Sequence, residues 1–200
     1  MKFRLTALVL LSICLSNAFA DEGMWLLGNL KKNKQTERVM KDLGLQMPVS
    51  KLYNPKKPCL ADAVVSFGGF CSGVVVSDDG LVFTNHHCGF SSIQQHSSVE
   101  HDYLKDGFVA RSLQEELPNP ELYVRFLLRT EDVTKRVLSA AKYARTEAER
   151  RVAVDSIMNV IGMEVSEKDS TLTGVVDAYY AGNEFWLSVY RDYNDVRLVF

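Results

Sequence analysis

The chain is poor in proline (5 in 200 residues), carries no marked excess of charge of either sign, and contains no apolar run long enough to cross a bilayer. Its 23 basic and 25 acidic residues give a net charge of −2, which excludes the basic stripe of a nucleic-acid-binding surface. There is no CxxC pair and no HxxxH pair, so the spacings usual for zinc are missing. There is no GxSxG or GDSGG-like stretch, so no nucleophilic serine announces itself. Internal repeats and low-complexity segments are also missing. With 46% hydrophobic and 24% charged residues, the composition is that of a chain that packs a core.

The first twenty residues read as a separate object. Lys2 and Arg4 give a positive start, Ala7 to Leu15 is a short apolar run, and Ala18-Phe19-Ala20 is a small-x-small cleavage site. This is the pattern of a secretory signal peptide. Bulky Ile13 before Cys14 argues against a lipid-bearing cysteine. Loss of Lys2 and Arg4 takes the net charge from −2 to −4. Of the four cysteines, Cys59, Cys71 and Cys88 remain, in an oxidising compartment that favours disulfides. Three is odd, so one is free or has its partner elsewhere.

Residues 21–200 alternate between helical and strand patterns. Apolar residues recur at roughly helical spacing from Trp25 to Leu45, with a polar interruption over Lys31–Gln35 that predicts two short helices. Trp25, which leads that run, is read as a core residue. Residues 63–67 and 72–77 are β-rich runs separated by Gly68-Gly69, and Asp79-Gly80 leads into Leu81–Thr84. Asp-Gly between two such runs predicts a hairpin. Residues 121–129 predict another strand, and 131–143 and 146–163 predict helices. In the second helix Thr146 with Glu149 makes a capping-box pattern, and Val152, Val154, Ile157, Met158, Val160 and Ile161 form the expected apolar face. Strands are expected at 172–180, 184–190 and 195–200, the first two joined at Gly182-Asn183. Phe185, Trp186, Tyr190 and Tyr193 are read as an aromatic core.

The stretch LVFTNHHCGF (81–90) carries the chemistry: His86 and His87 follow directly on the second strand of the predicted hairpin, and Cys88 follows them. Metal binding is one reading, with His86, His87, Cys88 and the upstream cysteines as ligands. Against it, adjacent side chains on an extended segment point in opposite directions and rarely serve one ion. A cysteine nucleophile is a second reading, although a catalytic Cys and His are seldom neighbours in sequence. A general base acting on a serine is the third. A structural role for both residues is the fourth, and it suits His86 better than His87.

The order Cys71, hairpin, His87, Cys88 resembles two-barrel serine peptidases of the chymotrypsin type. In those enzymes the catalytic histidine lies just after a strand of the first barrel. The cysteine that follows it pairs with one on the preceding strand. That likeness implies a Cys71–Cys88 bridge closing a loop of about 17 residues, worth roughly 3 kcal/mol on chain-entropy grounds.

The longer stretch FGGFCSGVVVSDDGLVFTNHHCGF (67–90) resembles the S46 family of bacterial dipeptidyl peptidases, of the DPP7 and DPP11 type. DEGMWLL (21–27), HDYLKDGF (101–108), EELPNPELYVRFL (115–127) and NEFWLSVYRDYNDVRLVF (183–200) extend the likeness over essentially all of the chain after the signal. The resemblance implies an α+β arrangement, mainly β with helices, forming part of a chymotrypsin-like double β-barrel. Residues 1–20 would be the signal and 21–200 the N-terminal part of the catalytic domain. The implied activity is release of dipeptides from the free N-termini of peptides. His87 is the implied general base of a Ser-His-Asp triad whose Asp and Ser are not in these 200 residues.

No cofactor and no metal is required by that chemistry. The implied partners are peptides with free N-termini, with no nucleic acid and no membrane after signal removal, and the likeness is compatible with a homodimer of the full-length protein. The implied location is the periplasm or cell surface of a Gram-negative bacterium. A 200-residue piece holding one member of a triad is expected to be inactive by itself. The competing expectations are an inactive or peptide-binding homologue, and a small metal-binding protein centred on His86, His87 and Cys88.

Overall fold

The structure, a computed structural model, describes residues 25–30 and 34–200. The expected signal segment and residues 21–24 lie outside the described residues. The strands are β1 (Val64–Phe67), β2 (Cys71–Val75), β3 (Val82–Thr84), β4 (Leu117–Pro118), β5 (Val124–Asp132), β6 (Leu172–Tyr179), β7 (Glu184–Tyr193) and β8 (Arg197–Leu198). The helices are α1 (Lys34–Asp42), α2 (Val49–Leu52), α3 (His86–His96), α4 (Tyr103–Asp106), α5 (Thr134–Ala140) and α6 (Glu147–Lys168). Six strands form one antiparallel sheet in the order β3–β2–β1–β5–β7–β6, and β4 pairs with β8 apart from it. The class is α+β, with an antiparallel sheet and flanking helices.

The sheet is two hairpin units joined by one seam. On one side β6 pairs along its whole length with β7, from Leu172↔Arg191 to Tyr179↔Glu184. α5 and α6 close this half around Val137, Ile161, Val165, Val176, Phe185, Leu187 and Val189. Full burial of a Val or Ile side chain stabilises by about 1.5–3 kcal/mol, so this cluster anchors the domain. The opposite face of β7 is covered too: the Trp186 ring lies against Gly28, and Tyr53 Oη meets Thr130 Oγ1 at 3.4 Å. On the other side β1, β2 and β3 form a meander over a smaller cluster of Val65, Phe67, Cys88 and Val124. The outer row of that meander, Val64, Val74 and Phe83, is exposed, and Phe200 meets Phe83 edge-on at 5.3 Å.

The hairpin, the long helix and the β6–β7 pair lie where the sequence predicts them, but several elements differ. The predicted helix over 131–143 starts only at Thr134, because Glu131 and Asp132 remain paired with Leu187 and Trp186 of β7. Asp132 Oδ1 accepts from the Thr134 N–H at 3.0 Å and so starts α5 locally. In α6 the Thr146 hydroxyl accepts from the Glu149 N–H, while the Glu149 carboxylate accepts from the Arg145 N–H, one residue before the capping-box position. Of the expected apolar face of α6, Val154, Ile157, Met158 and Ile161 pack on the core, and the face runs further toward the C-terminus than expected. Val152 and Val160 are 69% and 43% exposed, and the buried residues are Ile161, Gly162 and Val165. The helix runs on to Lys168, and its C-terminal half makes the closest approach to β6. Of the expected aromatic core, Phe185 and Trp186 are buried, whereas Tyr193 is exposed. Residues 195–200 give a strand of only two residues, paired with β4 rather than with the main sheet.

Two features position the small meander. Gly68 and Gly69 have φ of +62° and +79°, the conformation that a tight turn of opposite hand demands between two antiparallel strands. The turn closes with the Phe70 N–H donating to Phe67 O at 3.3 Å, and the Gly68 N–H donates to Tyr123 O at 2.8 Å. Arg125, which follows Tyr123 by two residues, lies within about one ring width of the Tyr123 and Tyr190 rings, 5.0 and 5.3 Å from their centroids. Its guanidinium donates two bonds of 2.7 Å to Asp192, whose Oδ2 also accepts from the Thr173 hydroxyl at 3.2 Å. This network ties β5, β7 and β6 together across one face. The hydrogen bonds from Arg125 hold the Asp192 carboxyl below the usual carboxylate range.

Two measurements test this packing. Gly162 has no room for a side chain, since a Cβ there would lie 2.7 Å from Gly174 O. Gly162→Ala gains about 1 kcal/mol of helix propensity. The contact with rigid backbone outweighs that gain, so the variant is expected to lose about 1–2 kcal/mol net in chemical denaturation; equal or higher stability would refute the close approach. Asp192 has a depressed folded pKa, so its contribution is complete above the unfolded value of about 3.9 and disappears as pH falls through the folded value. Asp192→Asn is expected to lower stability at pH 7 by about 1.5–3 kcal/mol and to flatten the decline expected of the parent below about pH 4. A parallel decline in both proteins would exclude Asp192 as its source.

Candidate active site

The candidate site begins where β3 ends. The Thr84 hydroxyl donates to Ser72 O at 2.8 Å, fixing the end of β3 against β2. Asn85 has extended backbone angles (φ −72°, ψ 145°) and serves as the N-cap residue of α3. The Cys88 N–H donates to Asn85 O at 2.9 Å and closes the first turn. His86 and His87 are therefore the first two residues of a helix, not members of an extended segment. On a helix, successive side chains are about 100° apart, so the two histidines still serve different surroundings. His86 is exposed, with its ring edge-on to Phe90 at 5.9 Å. His87 is exposed beside the sulfurs of Cys71 and Cys88, and among the described residues no side chain is hydrogen-bonded to it.

Cys88 is 5% exposed and belongs to the smaller apolar cluster. Its Sγ is bonded to Cys71 Sγ, with the two Cα atoms 6.1 Å apart. Cys71 opens β2, so the bridge fastens the first turn of α3 to the start of a sheet strand. A ring nitrogen of His87 and the two sulfurs all lie within 4.8 Å of one another. That is close enough for three metal ligands, but sulfurs joined to each other offer no thiolate, and the thiolate is the form that binds metal. Cys59 is a free thiol in a different place. Its Sγ accepts from the Asn54 N–H at 3.2 Å, and its own N–H donates to Asp62 Oδ2 at 2.8 Å. Ser72 is an exposed residue of β2.

The far end of α3 is also held, by residues that sequence patterns did not single out. His96, in its last turn, lies 3.2 Å from Asn119 Oδ1 through Nε2. Asn119 is buried; its side-chain amide donates to Leu117 O and its backbone N–H donates to Val196 O. The Oδ1 atom is left as the acceptor, so Nε2–H of His96 is the donor. Asn119-Pro120 is legible as a turn dipeptide, but nothing in it points to a histidine 23 residues upstream. Helix α3 is thus fixed by a covalent bond at its start and a hydrogen bond at its end. Such bracing is what a proton-transfer group needs, because a base must be kept within hydrogen-bond reach of its partner.

Replacing both bridged cysteines (Cys71→Ser with Cys88→Ala) is expected to cost about 3 kcal/mol in urea unfolding. Peptide mapping of the unreduced protein is expected to recover Cys71 and Cys88 in one linked pair and Cys59 as a thiol. Recovery of both as thiols would refute the bridge.

The sequence matches the Peptidase S46 family over residues 20–200. It is 47% identical over 196 residues to Dipeptidyl-peptidase 7 of Porphyromonas endodontalis, covering 96% of this chain and 24% of that protein. It is 43% identical over 178 residues to the Asp/Glu-specific dipeptidyl-peptidase of Capnocytophaga gingivalis, covering 88% of this chain and 24% of that protein. The crystal structure of Porphyromonas endodontalis DPP11 in complex with dipeptide Arg-Glu superposes with a TM-score of 0.75 at 38% identity, over 90% of this chain and 27% of that one. The chain spans about a quarter of the length of these relatives. A match across nearly all of the sequence, together with this agreement in fold, makes the chain a member of the Peptidase S46 family.

Proposed function

We propose that the chain is the N-terminal part of an exported serine-type dipeptidyl peptidase, with His87 as its general base. The observation that carries this is the placement of His87: exposed, on the first turn of α3, and held there by the Cys71–Cys88 bridge. His87 takes the proton from a serine hydroxyl as it attacks the carbonyl of the second residue, then gives that proton to the departing amine. The serine, and the aspartate that orients the imidazole, are supplied by the remainder of the peptidase. The substrates are peptides with free N-termini.

A relative named as Asp/Glu-specific and one whose name states no specificity match this segment almost equally, at 43% and 47% identity. That even match supports reading the segment as one common to both, which fits a role in holding the base rather than in choosing the substrate. Export is supported by the signal-like residues 1–20 and by a disulfide that suits an oxidising compartment. Residues 21–200 then form the first part of the catalytic domain, facing the periplasm or the cell surface.

The test uses the full-length peptidase. It is expected to react with a fluorophosphonate probe and to release dipeptides from unblocked peptides. His87→Ala is expected to lower kcat by at least about 10⁴-fold while leaving the folded state intact by circular dichroism. The 200-residue chain alone is expected to release none. Dipeptide release by His87→Ala at the parent rate would overturn the assignment.

A further inference from the structure

Two exposed aromatic residues are tied to the neighbourhood of His87, one through the bridge and one through the helix, and neither belongs to the two apolar clusters. Phe70 is 67% exposed and Phe90 is 42% exposed. Phe70 is linked to His87 through covalent structure, because it precedes Cys71, whose sulfur is bonded to the residue after His87. Neighbouring Cα atoms are about 3.8 Å apart, and those of Cys71 and Cys88 are 6.1 Å apart. The Cα atoms of Phe70 and His87 therefore lie within about 14 Å of each other, the span of about four extended residues. Phe90 follows His87 by three positions on α3, which makes the two neighbours on the helix surface.

Phe70 is held firmly for so exposed a residue. Its ring lies over Gly68, where a Cβ would come within 2.4 Å of Cε1. It also meets Phe67 edge-on at 6.3 Å. Phe90 has the His86 ring edge-on against it. Aromatic rings fixed before contact lose little freedom on binding, and for that reason they make effective anchors at recognition surfaces.

We propose that Phe70 and Phe90 form an apolar subsite for the leaving portion of the peptide, the residues that follow the scissile bond. This rests on His87 being the general base, and the chemistry then selects the side. When the acyl–nitrogen bond breaks, the electron pair stays on nitrogen and His87 returns to it the proton taken from serine. The departing amine must come within hydrogen-bond reach of the imidazole. The first residues of the leaving peptide thus cross the surface nearest His87, and Phe70, whose Cα lies within about 14 Å of that of His87, and Phe90, one helical turn on, are within reach of them. The subsite selects apolar side chains at the third and fourth positions of the substrate.

The experiment uses the full-length peptidase and peptides that share their first two residues. The third and fourth positions are Gly-Gly, Asp-Asp, Leu-Leu or Phe-Phe, and the released dipeptide is quantified by mass spectrometry. Apolar peptides are expected to exceed Gly-Gly in kcat/KM by about tenfold. Phe70→Ala and Phe90→Ala are each expected to bring that ratio toward one. Phe70→Lys is expected to raise the Asp-Asp to Gly-Gly ratio severalfold, a gain that a damaged fold cannot produce. Cleavage of all four peptides at similar kcat/KM by the parent would overturn the subsite and leave the peptidase reading standing. An equal loss on every peptide in the Phe→Ala variants, with no gain in Phe70→Lys, would also overturn it. Absence of cleavage altogether would remove both.

Discussion

The structure depends on the seam between β1 and β5. Three register pairs, Val65↔Phe126, Ser66↔Arg125 and Phe67↔Val124, join the meander that leads to His87 to the helix-backed half of the sheet. Each half has its own apolar cluster, and Val124 is buried in the smaller one while its strand continues into the larger half. Arg125 works on the same seam: it lies opposite Ser66 and reaches across to Asp192 on β7. The Gly68-Gly69 turn is anchored beside the same strand, at the carbonyl of Tyr123, the residue that precedes it. The position of the histidine relative to the bulk of the domain is therefore set by one short stretch of pairing, reinforced by the Tyr123 carbonyl just before β5 and by the Arg125 side chain on it.

The parts legible in the sequence were those governed by local rules. The hairpin before the histidines follows from Asp-Gly between β-rich runs, and α6 begins at Thr146 because a hydroxyl satisfies a free N–H there. The parts that were not legible depend on distant partners. The exposure of Val152 and Val160 follows from where α6 crosses β6, and the Gly162–Gly174 approach sets that crossing. Glu131 and Asp132 have the polarity of a helix start, yet ladder bonds to β7 keep them extended. At the site, the residue types were readable and their geometry was not. His86 and His87 open a helix, and the Asn119 bond that steadies the far end of that helix joins segments with no pattern in common.

Family membership and local structure contribute different things. The match to Peptidase S46 says which chemistry to look for. The geometry describes the place where the proposal looks for it: an exposed imidazole, a buried cysteine next to it, and a helix tied at its start and its end. The contrast within the adjacent pair follows from the same arrangement. His86 spends its ring on Phe90, while His87 stands over the bridge with no hydrogen-bonded neighbour among the described residues.

The 17-residue separation of the bridged cysteines bears on the order of assembly. The β2–β3 hairpin and the first turn of α3 close a short loop, whereas the β1–β5 seam must gather segments separated by about 60 residues, a slower search for a chain of this topology. The meander can thus form, and its sulfurs oxidise, before the sheet is complete. Once the bridge is made, Cys88 is held beside Phe67, and the surface that Val124 must find already exists. The crosslink that steadies the histidine in the finished protein is in this sense also a template, made early and locally, for one of the long-range pairings on which the domain relies.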